Sequence, residues 1–209
     1  MASSEMTAST QAEQWASAWV GTGGTLSFVN RSCLGQWPHQ AIGVSAVAKI
    51  TPFLWFDDQA EDAVEFYLSV FPNSRILQIA RHGEGGPGQA GTVMTVHFEL
   101  DGNEFVALNG GPVHYGFDES VSFVVDCATD EQVDHYWEAL TDGGEEIACG
   151  WLKDRYGLRW QIVPTDLPSV LGDPDPERAS RAMQAMMTMK KLDIQAMKDA
   201  ADGVPRQVG

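Results

Sequence analysis

Residues 54–67, LWFDDQAEDAVEFY, and residues 123–136, FVVDCATDEQVDHY, carry one pattern twice. A shift of 69 residues sets Leu54 on Phe123, Phe56 on Val125, Asp57 on Asp126, Val64 on Val133, Glu65 on Asp134 and Tyr67 on Tyr136. Each copy opens with a short β-branched and aromatic run, the mark of a strand. In the first copy the chain then changes period: Ala63, Phe66, Tyr67 and Val70 recur at helical spacing. Repeats of this kind are read before any motif, because a unit that exposes one face of a small sheet must pair or be covered to be stable.

Working outward, SRILQIARHG (74–83), GTVMTVHFELDG (91–102) and NEFVALNGGP (103–112) complete the first unit as three more strands. The loop GEGGPGQA separates two of them, and ELDGN forms a tight turn. GEEIACGWLKD (144–154) and LRWQIVPT (158–165) complete the second unit. A gapped match sets Gly102 on Gly157 and Phe105 on Trp160. The fold class is therefore α+β: tandem β-α-β-β-β modules over residues 49–165. Residues 166–209 read as a C-terminal helical extension. There Asp175 caps a helix that opens on Pro176 and Glu177, Ala179, Met183 and Met186 run down one face, and Asp193 caps a second helix. A methionine stripe of this spacing reads as core or dimer contact. Residues 1–48, rich in Ala, Ser, Thr, Gln and Gly, sustain neither period and read as a disordered N-terminal extension.

The formal net charge of the 209-residue chain is −16. Residues 1–49 hold two acids, Glu5 and Glu13, and two bases, Arg31 and Lys49, so the whole excess lies beyond them. A field of that sign repels phosphate backbones and anionic lipid, which argues against nucleic acid and membrane as partners and favours cationic small molecules. No apolar run approaches the roughly 18 residues of a membrane span. Three cysteines, Cys33, Cys127 and Cys149, with no CxxC spacing, make neither a disulfide framework nor a thiolate zinc site. No secretory signal is visible, and a cytoplasmic protein is the expectation.

Strand parity separates the faces. Leu54 and Phe56 should pack on the helices, with Thr51, Phe53 and Trp55 on the other side. Phe123 and Val125 should do the same in the second unit, with Ser120, Ser122 and Val124 opposite. On the last strand Gln161 is assigned to the cavity, as a neutral group aimed at a ligand or at Ser120. The candidate ligand-binding set is Thr51, Trp55, Asn109, Ser120, Ser122 and Gln161. His97 and Glu99, two apart on one strand face, are weaker candidates for an acid–base pair. Asn109 stands in LNGGP, whose glycines either let a backbone approach a ligand or make a tight turn. Asp154 is expected to shape a hairpin turn with Gly157, and Cys149 to be inert.

ITPFLWFDDQAEDAVEFYLSVFPNS, FELDGNEFVALNGGP, SFVVDC, VDHYWEAL, CGWLKDRYGLRWQIVPT and AMMTMKKLDI, in that order, resemble the PhnB-like group of the vicinal oxygen chelate superfamily. That group is also labelled a demethylubiquinone methyltransferase domain. The superfamily includes glyoxalases, ring-cleaving dioxygenases and drug-binding resistance proteins. The resemblance, over residues 49 to about 201, implies that the modules form a curved sheet around a cavity, with helices on the outer faces, and a homodimer. In its metal-using members, ligands come from the first and last strands of each module. Here those positions are Thr51, Val106, Ser120 and Gln161, which lack the charge and donor strength a divalent metal needs. No metal and no cofactor is therefore predicted.

The function expected is a metal-free pocket that binds or sequesters a small aromatic or cationic ligand, with Trp55, Trp151 and Trp160 as aromatic faces. The alternatives are a metal-dependent lyase, isomerase or dioxygenase of the same superfamily, and an interaction subunit working through its C-terminal helices. Methyltransferase chemistry is not expected: GEGGPGQAG is flanked by strands on both sides, whereas a cofactor cradle needs a glycine-rich turn from strand to helix.

Overall fold

The structure, a computed structural model, describes residues 49–85, 88–114 and 116–204; the extension read over residues 1–48 lies outside the described residues. The chain divides into two compact units between Val113 and His114. Each has the element order the repeat implies.

In the first unit β1 (Phe53–Phe56) leads into α1 (Ala60–Val70), followed by β2 (Arg75–Arg81), β3 (Val93–Leu100) and β4 (Asn103–Asn109). The sheet order is β1-β4-β3-β2, with β1 and β4 parallel and the other neighbours antiparallel. Strand parity decides what is buried. Leu54 and Phe56 are 6% and 4% exposed, whereas Phe53 and Trp55 are 59% and 40% exposed. The buried pair joins Phe98 and Phe105, whose rings stack across β3 and β4 at 5.5 Å, and the α1 residues Ala63, Val64, Tyr67 and Val70. Burying each large side chain contributes about 1.5–3 kcal/mol. Asp101 and Gly102, at φ 44° and 82°, form the two-residue β3–β4 turn, a geometry that matches the twist of a hairpin.

In the second unit β5 (Phe123–Cys127), α2 (Asp130–Thr141), β6 (Glu145–Glu146), β7 (Trp151–Lys153) and β8 (Arg159–Pro164) repeat the topology, in sheet order β5-β8-β7-β6. The strand pairing slips by two residues relative to the first unit. Leu54 pairs with Ala107, but Ile162, the counterpart of Ala107, pairs with Val125 rather than Phe123. A slip of two keeps every side chain on its face. Asp154, 1% exposed, closes the β7–β8 turn as the sequence implies. Its Oδ1 accepts the backbone N–H of Tyr156 and Leu158 at 2.9 and 3.0 Å, and its Oδ2 accepts Nε1–H of Trp160 at 2.8 Å.

Three helices follow: α3 (Leu167–Leu171), α4 (Pro176–Met186) and α5 (Ile194–Ala201). Asp175 and Asp193 cap the last two by accepting the N–H of Glu177 and Ala196 at 2.9 and 2.8 Å. Ala182 and Met186 are the buried residues of α4; Met183, expected beside Met186, is only partly buried. These helices form a cluster with Val163 of β8 and with Cys149. Between β6 and β7 the backbone turns outward at Cys149 (φ 53°) and Gly150 (φ 86°). Their N–H groups leave the sheet and donate to the carbonyls of Met189 and Lys190 at 2.9 and 2.7 Å. β6 is only two residues long, and all six residues of β8 are buried, Val163 among them against the C-terminal helices. No described helix is long and apolar enough to cross a membrane.

Candidate functional site

In the first unit a cleft of about 910 Å3 opens at the end of β1 and β4. That volume lies in the range of small-molecule sites. It is lined by Trp55, Asp57, Asp58 and Glu61 from β1 and the start of α1, by Arg81 and His82 at the end of β2, and by the Asn109–Gly111 segment after β4.

Trp55 is held in place from two sides. Its Nε1–H donates to the carbonyl of Gly111 at 3.0 Å. Its ring lies so close to Gly110 that a Cβ there would stand 2.2 Å from Cε2. Any side chain at this position would push the ring outward, so glycine and the hydrogen bond together seat the indole as a platform. The two glycines extend the β1–β4 ladder, with their N–H groups donating to Phe56 and Asp57 carbonyls at 2.9 and 3.0 Å. LNGGP is therefore neither a simple turn nor a bare backbone cradle.

Asn109 lines the cleft, but its amide is engaged by the protein. Oδ1 accepts the Ala60 N–H at 2.8 Å, capping α1 where Gln59 makes no side-chain cap. Nδ2 donates to Glu61 Oε2 and to the Val93 carbonyl, both at 3.1 Å. Asp57 and Asp58, which line the cleft, form no ion pair among the described residues.

The structure brings Trp55 and Asn109 together in this cleft; Thr51, Ser120, Ser122 and Gln161 do not line it. Gln161, 8% exposed, donates from Nε2 to Ser122 Oγ at 2.8 Å, so its partner is Ser122 rather than Ser120. Its Oε1 is buried and has no hydrogen-bond donor among the described residues. Ser120 is exposed and turns to Asp118, which accepts both its hydroxyl and, at 2.9 Å, its N–H. His97 and Glu99 share a strand face but do not bond to each other. His97 Nε2 meets Glu104 Oε2 at 2.8 Å, and Glu99 accepts from Arg75 at 3.3 Å. The hairpin register puts Glu104 of β4 within reach of His97, a partner that parity along one strand does not reveal. The Lys49 ammonium, which bonds Glu104, is the main reason that carboxyl sits below its ordinary range, with His97 contributing. His114, in the loop after the cleft, is exposed.

Sequence reasoning missed Asp57, Asp58, Glu61, Arg81 and His82. The paired acids at a strand end were visible, but acids before a helix are usual enough to pass unnoticed.

Residues 48–163 match the family model described as 3-demethylubiquinone-9 3-methyltransferase. The chain belongs to this family. Its membership carries with it the vicinal oxygen chelate fold that the two modules build. Among solved structures, the PhnB protein from Bacillus cereus is 36% identical, over 56% of this chain and 100% of that one, with a TM-score of 0.52. A protein from Pseudomonas aeruginosa is 17% identical over 56% of this chain and 98% of its own, with a TM-score of 0.48. The fosfomycin resistance protein FosX from Listeria monocytogenes is 14% identical over 60% and 96%, with a TM-score of 0.43. No curated protein matches.

The metal used by other vicinal oxygen chelate proteins does not fit the residues present. Val106 offers no donor atom, the Ser120 hydroxyl bonds Asp118, and the Gln161 amide oxygen, left without a hydrogen bond among the described residues, is a single neutral donor that brings no charge to balance a divalent ion. Among the described residues no three His, Cys, Asp or Glu side chains converge as a metal ion needs.

Proposed function

We propose that this member of the 3-demethylubiquinone-9 3-methyltransferase family binds a small organic ligand through a cationic group, without a metal, in the cleft of the first module. One observation carries this: the Trp55 indole, fixed by Gly110 and Gly111, lies in the same cleft as Asp57 and Asp58, carboxylates that form no ion pair among the described residues. A cation over an indole face gains about 0.5–2 kcal/mol, and neighbouring carboxylates add to it. The acidic chain as a whole raises the local concentration of such a ligand.

The family's descriptive name carries no weight for the reaction. The turn from β1 to α1 reads Asp57-Asp58-Gln59, acidic and without glycine, so the start of α1 is no cradle for the anionic group of a cofactor. The metal-dependent lyase, isomerase or dioxygenase reading has no set of ligands among the described residues in its favour. Thr51, Ser120, Ser122 and Gln161 serve here as structural groups, and the protein acts as a cytoplasmic homodimer.

Isothermal titration with benzyltrimethylammonium tests the proposal. Saturable binding is expected, weakened about tenfold by Trp55→Ala and by Asp57→Asn with Asp58→Asn. Equal binding by wild type and variants would remove the cleft as the site. Native mass spectrometry of the same sample checks the rest, with a mass of twice 22.8 kDa and no bound metal expected.

A further inference from the structure

The same cleft has a second charged wall. Arg81 ends β2, where the ladder to β3 slips between Ala80 and Arg81. Such a bulge re-aims a side chain, and here it delivers the guanidinium to the cleft. Arg81 Nη1 donates to the Gly91 carbonyl at 3.0 Å, which anchors one end of the fork. No carboxylate among the described residues forms an ion pair with it. His82 stands beside it, its ring packed so closely on Gly88 that a Cβ there would come within 2.5 Å of Cδ2. Its N–H donates to the Thr92 carbonyl at 2.9 Å and its carbonyl accepts from Gly91 at 2.8 Å, so the strand end that presents both side chains is held.

Opposite charges that line one cleft ordinarily close on each other. Here Asp57 and Asp58 follow β1 and Arg81 ends β2, the two edge strands of a sheet ordered β1-β4-β3-β2, so β4 and β3 stand between the two walls. Arg81 is exposed and, apart from the Gly91 carbonyl, its guanidinium is open to a ligand. A single molecule with two charges answers both walls. We infer that the ligand of this cleft is a zwitterion: an ammonium group on Trp55 between Asp57 and Asp58, and a carboxylate or phosphate on the guanidinium of Arg81 with His82 as a second donor. Arginine suits that role because its planar fork matches an oxyanion with two parallel donors. Since the two walls do not touch, the charges of the ligand are separated by several bonds rather than adjacent.

The inference rests on the cationic reading of the cleft, and its test separates the two. Trimethylammonio carboxylates with one, three and five methylenes between the charges are titrated against alkyltrimethylammonium ions of matching length. One length in the carboxylate series is expected to bind about tenfold more tightly than its uncharged-tail partner. Arg81→Ala should erase that gain, while alkyltrimethylammonium ions still saturate the variant at least as tightly as wild type because a like charge has left the cleft, which also certifies its fold. Arg81→Lys should keep part of it. No gain at any length, or a gain that survives in Arg81→Ala, overturns the zwitterion inference alone. Failure of both series to saturate overturns the cationic reading and the inference together.

Discussion

Gly110→Ala puts the fixed platform under direct strain. The added methyl would meet Cε2, Cζ2 and Cδ2 of Trp55 at 2.2, 2.3 and 2.7 Å. Carbon atoms settle at about 3.5 Å or more, so the ring must withdraw by about 1.3 Å. That shift cannot be absorbed by the 3.0 Å bond from Nε1 to the Gly111 carbonyl, which breaks. Gly110 does not have a positive φ, so the backbone itself tolerates alanine, and the damage falls on the indole. Trp55 is 40% exposed and has room to swing outward, which limits the cost in stability to about 1–2 kcal/mol, mostly the lost hydrogen bond and some overpacking. The cost in binding is larger relative to what the site supplies. A displaced ring forfeits most of a cation–π contact of about 0.5–2 kcal/mol, a weakening of roughly 2- to 30-fold. Titration with benzyltrimethylammonium, alongside thermal unfolding, measures both. If Gly110→Ala binds the probe as wild type does while Trp55→Ala does not, the ring is not held as argued, and the close approach of Gly110 has no bearing on the site.

Asp154→Asn places an amide N–H against Nε1–H of Trp160, and a loss of about 2–4 kcal/mol is expected by chemical denaturation; in a Trp160→Phe background, where the opposing donor is gone, the same change should cost less. Gln161→Leu removes a buried acceptor that lacks a donor and should change stability by less than about 1 kcal/mol, whereas Gln161→Ala, which leaves a void, should cost more. Burial, with Asp126 nearby, pushes the Cys127 thiol up to about 11, and burial raises that of Cys149. Neither should be alkylated by iodoacetamide at pH 8 until the chain is unfolded, as peptide mapping would register. The Glu104 carboxyl is depressed in the folded state, so the stabilisation it contributes is fully present above its ordinary value of 4.5 and is lost as pH falls through the lower folded value. Carboxylate titration by NMR should find Glu104 ionised below pH 4.5 in wild type and returned toward 4.5 in Lys49→Ala.

What the sequence made legible is what depends on period and on local chemistry. The alternation in β1 correctly separates Leu54 and Phe56 from Phe53 and Trp55, because burial on one face leaves a period of two in residue type. The duplication is legible because both units bury the same α-helical positions, Val64 and Tyr67 against Val133 and Tyr136. Asp154, Asp175 and Asp193 are legible because each acts within a few residues of itself. The cleft was not, because its residues meet only through pairing. Asn109 caps a helix 49 residues away in sequence. His97 finds Glu104 across a hairpin, where strand parity offered Glu99. Arg81 reaches the cleft through a register slip that no alternation encodes. The partner of Gln161 was misplaced from Ser122 to Ser120 for a related reason: parity fixes the face of a side chain but leaves its position along the neighbouring strand open.

The two modules share a topology but not a fate, and the cause lies in the backbone between β6 and β7. Left-handed conformations at Cys149 and Gly150 send two N–H groups outward, and the segment around Met189 and Lys190 takes them up. Once bound there, α3, α4 and α5 bury their methionines and leucines in one cluster that takes in Val163, where the extension meets the fully buried last strand of the second module. The corresponding strand of the first module has no such cover among the described residues: β4 alternates between buried and partly exposed positions, and Phe53 and Trp55 beside it remain in solvent. A duplicated unit thus yields one module made solid by its extension and one that keeps an accessible end. Only in the second are the glycines after the last strand, Gly110 and Gly111, replaced by Thr165 and Asp166, which lead directly into the covering helix α3. That junction and the left-handed pair between β6 and β7 act together: one leads the chain into the extension, the other gives the extension its place to dock.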